Sequence, residues 1–341
     1  MIETLPRIYS IGLISPLGRT YQESARAYRE GEIALRRAPG LVGIDAIPPT
    51  LAFVFPYDQP RDFIERLSLL LNAAIRQCSH ELDQLCDLPR IPMHIFLPPW
   101  IERSRLLPRL THEFHSTHPT ILDSPVLHFG GPAETFVCAA DLAAAVYSKK
   151  LDCVLLCAID SLIQPDLLDF LSFNEEILSS QNPYGFIPGE AASVILISRE
   201  GVIRSRISAQ GSIVAGRSSR EPENVKSPKG IIGRGLADCF DFGVDYPISR
   251  LIVDLNGQRY RSEEFGFAIA NTTLDLQHLA NDPEAPASKM GHLGTATGLT
   301  YLALALAEKP AEFGHPGPYN TLISTSSPSG WRATMIVEKD N

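Results

Sequence analysis

The sequence predicts an α/β fold, with helices packed on a largely parallel sheet. Two continuous apolar runs, Leu151–Ala158 and Ala191–Ser198, have the length and composition of strands buried on both faces. Amphipathic helical stretches alternate with strand-like runs. That alternation stops at a polar stretch, Gly216–Gly230, and then resumes, so both halves carry it.

Taken in order, Arg7–Leu13 reads as a strand and Ser15–Gly18 as a turn. Tyr21–Arg29 reads as a helix that stops at Gly31. Thr50–Phe55 is the next strand. Arg61–Cys78 is a helix with Phe63, Leu67, Leu70, Leu71 and Ala74 on one face. Pro92–Leu97 is a short strand between prolines, and Ala133–Ser148 is an alanine-rich buried helix. Pro165–Phe173 is a short helix between the two apolar strands. Gly216–Gly230, rich in Ser, Arg, Pro and Lys, reads as a mobile loop. Beyond it come helix Gly235–Phe242, strand Ser249–Leu255, helices Arg261–Ala270 and Gly298–Glu308, and strands Thr321–Ser326 and Ala333–Glu338.

At 341 residues, with 44% hydrophobic and 20% charged residues, the chain is globular. It is long enough for two domains or for one fold built from two halves. The formal net charge of -9 speaks against a nucleic-acid partner, which calls for a basic footprint. No apolar stretch is long enough to span a bilayer, and Met1–Ser10 is not a signal peptide.

The six cysteines form no CxxC pair and read as reduced thiols of a cytoplasmic protein. His112, His115 and His118 recur every third residue, and two of them sharing a helix face is a metal-binding geometry. A solvated helix end before Pro119 explains the same spacing, and no metal site is assigned. No HExxH, Walker A or strand-linked GxGxxG pattern occurs, and no cofactor is expected.

Five blocks, in order, resemble β-ketoacyl-acyl-carrier-protein synthases, the thiolase-fold condensing enzymes. They are Ile11–Gly18, Leu151–Ser161, Asn182–Ala192, Asp254–Gly257 with Arg261–Phe265, and Gly291–Gly298. The resemblance spans about Ile8 to Val337. It implies a thiolase-like five-layer α-β-α-β-α architecture built from two related halves, 1–200 and 201–341, usually dimeric.

The resemblance also implies a Cys-His-His catalytic set, which this chain lacks. The nucleophile's place, at the N-terminus of the alanine-rich helix, falls at Pro132–Ala133, where there is no thiol. A cysteine there is activated by the helix's exposed N–H groups and dipole. Cys138, six residues on, is either a core thiol or a relocated nucleophile. The first histidine's His-Gly-Thr turn is matched to Ala270–Thr273, where Asn271 can hydrogen-bond but cannot act as a base. His292 stands where the second histidine is expected, with Lys289 displaced upstream.

The C-terminal gate corresponds to Ser324–Gly330 and lacks the family's aromatic residues; Ser326 and Ser327 either line a residual pocket or, as turn serines more often do, simply satisfy backbone groups. Gly189 and Glu190 are assigned structural roles, the buried carboxylate requiring partners. The expectation is a non-condensing scaffold, adaptor or partner subunit. It would be a homodimer, or a heterodimer with another thiolase-fold chain, and an acyl carrier protein or other protein would be its client. Arg103, Arg105 and Arg109 form a basic cluster of the right sign for an acidic carrier. The alternative is an active acyltransferase or thioester hydrolase with a displaced nucleophile.

Overall fold

A computed structural model describes residues 5–41, 47–56, 62–78, 90–116, 123–203, 207–222, 230–307 and 320–340. His118, Cys86 and the side chain of His115 lie outside the described residues, as do 223–229 of the expected loop.

The first part of the chain contains β1 (Arg7–Ile14), α1 (Tyr21–Arg29), β2 (Arg36–Arg37), β3 (Thr50–Leu51), α2 (Phe63–Gln77), β4 (Met93–Leu97), α3 (Leu107–Ser116), β5 (Val126–Phe129), α4 (Pro132–Tyr147), β6 (Cys153–Ser161), α5 (Pro165–Phe173) and β7 (Glu190–Ser198). The second contains β8 (Gly211–Arg220), α6 (Arg234–Asp241), β9 (Ile248–Ile252), α7 (Arg259–Asn271), α8 (Gln277–Ala280), α9 (Ala287–Met290), α10 (Thr297–Leu306), β10 (Asn320–Ser326) and β11 (Trp331–Lys339).

Strand order in the main sheet is β5-β4-β6-β7-β1-β8-β11-β10-β9. One pairing pattern occurs twice. The opening strand of each part, β1 or β8, runs antiparallel to the last, β7 or β11. That last strand runs antiparallel to the one before it, β6 or β10. The latter is parallel to an earlier strand, β4 or β9. The two sets join where Arg7 and Ile8 of β1 pair with Ser212 and Gly211 of β8.

The helices complete five layers. α2 packs on β1, β6 and β7 from outside. α4 and α10 touch strands of both sets and form the central layer. α6 covers β8 and β11 on the far side and carries α7. Every residue of β6, β7 and α10 is buried, which is why these segments are apolar without alternation. Each fully buried Leu in α10 contributes about 1.5–3 kcal/mol.

The structure corrects several sequence expectations. The sheet is mixed, not largely parallel. β10 and β11 are joined by only the short turn Ser327–Gly330, and a turn that short permits only an antiparallel return. Gly216–Arg220, expected to be loop, is the outer end of β8, paired with Trp331–Met335 of β11. Its exposed polar face hides the strand signal. Thr50–Phe55 is strand only at Thr50–Leu51, because the N–H groups of Val54 and Phe55 turn to the Glu190 carboxylate instead. β5 is a further strand, four residues long and half-exposed, that no hydrophobic period marks in the sequence.

Candidate functional site: the mouth of the central helix

Helix α4 begins after Gly131, with Pro132 as its first residue. Proline suits that position because its fixed φ is helical and its missing N–H would be unpaired there. The proline ring also removes one of the donors that a helix mouth offers to a developing oxyanion. The next N–H, that of Ala133, donates to Ser327 Oγ at 2.9 Å. The Gly131 N–H donates to Glu134 Oε2 at 3.1 Å, and Ser329 Oγ donates to the other Glu134 oxygen. Ser327 and Ser329 come from the β10–β11 turn, so the second half of the chain closes the mouth of the first half's helix.

A second wall comes from Gly291–Gly298. Thr295 donates its hydroxyl to Gly130 O at 2.8 Å and its N–H to Asp160 Oδ2 at 2.8 Å. Gly294 has φ +53, and a Cβ there would stand 2.0 Å from that same Asp160 oxygen, so only glycine fits. Asp160 is buried at the end of β6, and its Oδ1 has no partner among the described residues. Burial pushes its pKa up to about 7 against the hydrogen bonds from Thr295 and Ser161.

His292 is anchored by its backbone. Its N–H donates to Ile187 O at 2.7 Å, and its carbonyl accepts from Gly189 N at 2.9 Å. The ring meets Phe186 edge-on at 4.9 Å. Nδ1 is shut off from solvent without a partner among the described residues. Burial, aided by the Arg261 guanidinium, lowers its pKa to about 3, so the imidazole is neutral.

Ser326 is buried beside this wall, its N–H donating to Asp254 Oδ2 at 3.2 Å. Asp254 in turn pairs with buried Arg261. Arg332, buried as well, reaches Glu264 at 2.7 Å and Ser327 O at 3.0 Å. These pairs fix the turn that carries Ser326 and Ser327.

Glu190, at the start of β7, lies deeper. It takes a two-point contact from Arg66 at 2.6 and 2.8 Å, the Ser161 hydroxyl at 2.8 Å and the N–H groups of Val54 and Phe55. Gly189 passes so close to the 290–292 backbone that a Cβ would crowd Met290 O at 2.9 Å.

Asn271 does not join the site. It is the last residue of α7, is exposed, and donates back to Phe267 O at 2.7 Å. A glycine turn, Asn256-Gly257-Gln258, lies between β9 and α7. Gly257 has φ +100, and a Cβ there would press on Gly185 O at 2.8 Å, within the Asn182–Ala192 block. Asn256 is buried and exchanges hydrogen bonds with Gln258 at 3.0 and 3.1 Å. The signal was a glycine turn placed directly between strand and helix. Asn256, like Asn271, cannot serve as a base at neutral pH.

Cys138 is half-buried inside α4, away from its mouth. Its Sγ lies 3.8 Å from His128 Nδ1, and His128 Nε2 lies 2.8 Å from His94 Nδ1. Burial first, then Asp141, push the Cys138 thiol up to about 11. Burial lowers both histidines, so the relay rests as a neutral thiol and neutral imidazoles.

Arg103, Arg105 and Arg109 are all exposed, and Arg109 is tied to Asp62. Among the described residues no cluster of His, Cys, Asp and Glu could hold a metal, and no helix is long and apolar enough to cross a membrane.

No family model matches the chain, and no curated protein matches it significantly. Solved structures do. A ketosynthase from module 6 of the bacillaene synthase of Bacillus subtilis 168 aligns over 99% of this chain and 72% of its own, at 13% identity and TM-score 0.71. An oxazolomycin ketosynthase domain of Streptomyces albus JA3453 aligns over 99% and 75%, at 11% identity and TM-score 0.72. The ishigamide ketosynthase/chain length factor aligns over 99% and 100%, at 14% identity and TM-score 0.72. At such identities the likeness is one of architecture, and the chain has the thiolase-like ketosynthase fold.

Proposed function

We propose that this chain is a non-condensing member of the ketosynthase-like proteins and serves as a scaffold or partner subunit in an acyl-processing system. The observation that carries this reading is the closed mouth of α4. A proline ring stands where the resemblance puts the nucleophile, and the Ser327 hydroxyl already occupies the adjacent N–H. An acyl thioester brought there would meet no thiol, one fewer donor for its oxyanion and an asparagine at the strand-to-helix turn. Members of such a catalytic set act as a unit, so losing one removes most of the rate. The reading divides the chain near residue 200 and places it in the cytoplasm, where its free cysteines stay reduced.

The partner is a second thiolase-fold chain, either a copy of this one or a relative. One similar structure is a ketosynthase/chain length factor, and another is a type II PKS acyl-carrier protein in complex with its ketosynthase. Among the described residues β5 is hydrogen-bonded on one side only, to β4. Its outer edge offers unpaired backbone groups to a strand of another chain.

A second reading has one observation in its favour. Cys138 faces the His128 imidazole, which His94 orients, giving a nucleophile, base and orienter in sequence. Intact-mass analysis after incubation with an acyl thioester and with an epoxide cysteine trap decides between the two. The non-condensing reading expects no stoichiometric adduct on folded protein. An adduct on Cys138 that is lost on His128→Ala overturns it in favour of a displaced nucleophile.

A further inference from the structure

A cleft of about 270 Å³ lies outside the closed mouth, between the β2–β3 hairpin and the segment that follows α5. Its walls are Ile47, Pro48, Pro49, Ile177 and Leu178. Ile47 and Leu178 are exposed at the rim although both are large and apolar. The floor belongs to a satellite hydrophobic cluster that includes Leu51, Leu171, Ile177 and Phe186.

The polar lining residues are one cation, Arg37, and four hydroxyl residues, Thr50, Ser172, Ser179 and Ser180. Arg37 is exposed, lines the cleft, and makes no ion pair among the described residues, whereas neighbouring Arg36 is turned over the Phe53 ring. No carboxylate is found among the described lining residues. Ser179 Oγ accepts from Asn182 N at 3.0 Å, and its own hydrogen has no acceptor among the described residues. Ser172, also in the lining, makes no side-chain hydrogen bond among the described residues. An apolar slot with one unpaired cation and hydroxyl donors is the form of a small-molecule site whose ligand has a hydrocarbon body and an anionic head.

We propose that this cleft binds a medium-chain carboxylate, with the tail against Ile177 and Leu178 and the head on Arg37. At roughly 30 Å³ per non-hydrogen atom the volume holds about nine such atoms, close to the ten of octanoate, whose carboxylate end stands at the open rim. The cleft is not isolated from the site described above. Ile177 forms a backbone bridge with Phe186, whose ring meets His292 edge-on.

The test is a titration of the full chain with octanoate, followed by calorimetry and ligand-observed NMR, with acetate and 1-octanol as controls. Octanoate is expected to bind saturably and more tightly than either control. Arg37→Glu, a surface change, should weaken it roughly fivefold. Ser172→Phe should fill the slot and abolish binding, with the melting temperature reporting that the variant is folded. Octanoate binding no tighter than acetate, or binding unchanged in both folded variants, overturns the proposal. Neither result bears on whether the mouth of α4 condenses acyl groups.

Discussion

Asp160, buried, and His292, half-buried with its Nδ1 shut off from solvent, hold opposite proton preferences, and each leaves a signature in stability against pH. Asp160 titrates near 7 when folded, against an ordinary 3.8. The folded state therefore binds more protons between those values, and stability falls as pH rises through them. His292 titrates near 3 when folded, against an ordinary 6.5. There the unfolded chain takes the proton first, so stability is lost as pH falls below 6.5. Between about 4 and 6.5 the two slopes oppose each other; from 6.5 to 7 only Asp160 contributes. Asp160→Asn keeps an acceptor for Thr295 N and removes one slope. Its stability relative to the wild type should therefore climb as pH rises from 5 to 8, by at most about 1.4 kcal/mol per unit. Urea midpoints at both pH values measure this, and a flat or falling difference refutes the assignment. The His292 ring resonances should stay those of a neutral imidazole at pH 5.

At the scale of elements, two contacts that hold the site differ in kind and so in cost. Glu190, the first residue of β7, is buried with a guanidinium, a hydroxyl and two backbone N–H groups upon it. Glu190→Ala strands Arg66 as a buried unpaired charge and should cost about 3–5 kcal/mol in denaturant unfolding. Ser327→Ala removes a single neutral hydrogen bond at the α4 N-terminus and should cost about 1 kcal/mol. A Ser327 loss as large as that of Glu190 would mean the β10–β11 turn depends on that hydroxyl. The elements themselves were legible in the sequence unevenly, for physical reasons. β6 and β7 are buried on both faces, and their apolar runs show it. β5 is a four-residue edge strand containing a histidine, and the polar end of β8 is exposed; neither carries a hydrophobic period. Without a periodic signal for β5, nothing in the sequence places His128 against Cys138. Missing thiol chemistry at Pro132 is visible in the sequence because a helix start has a local signature. That Ser327 fills the neighbouring N–H is not visible, because the contact joins residues 194 positions apart.

The whole molecule is organised on a nine-stranded main sheet whose two edges, among the described residues, are β5 and β9. An open edge is a hazard unless something pairs with it or charge protects it. β5 carries no Lys, Arg, Asp or Glu, and its first residue, Val126, is 49% exposed. The strand's own residues therefore supply no charge to repel a partner strand, and pairing across the edge would extend the sheet into a second molecule. Val126→Lys puts an ammonium on that edge and leaves the half-buried residues of β5 untouched. The wild type should sediment as a dimer and the variant should shift toward monomer, with melting differing only by the lost association. A variant that stays dimeric moves the interface away from β5. A wild type that remains monomeric at tens of micromolar, where a dimer of about micromolar Kd would be largely formed, removes self-association. The edge strand of a relative would then be the partner to seek.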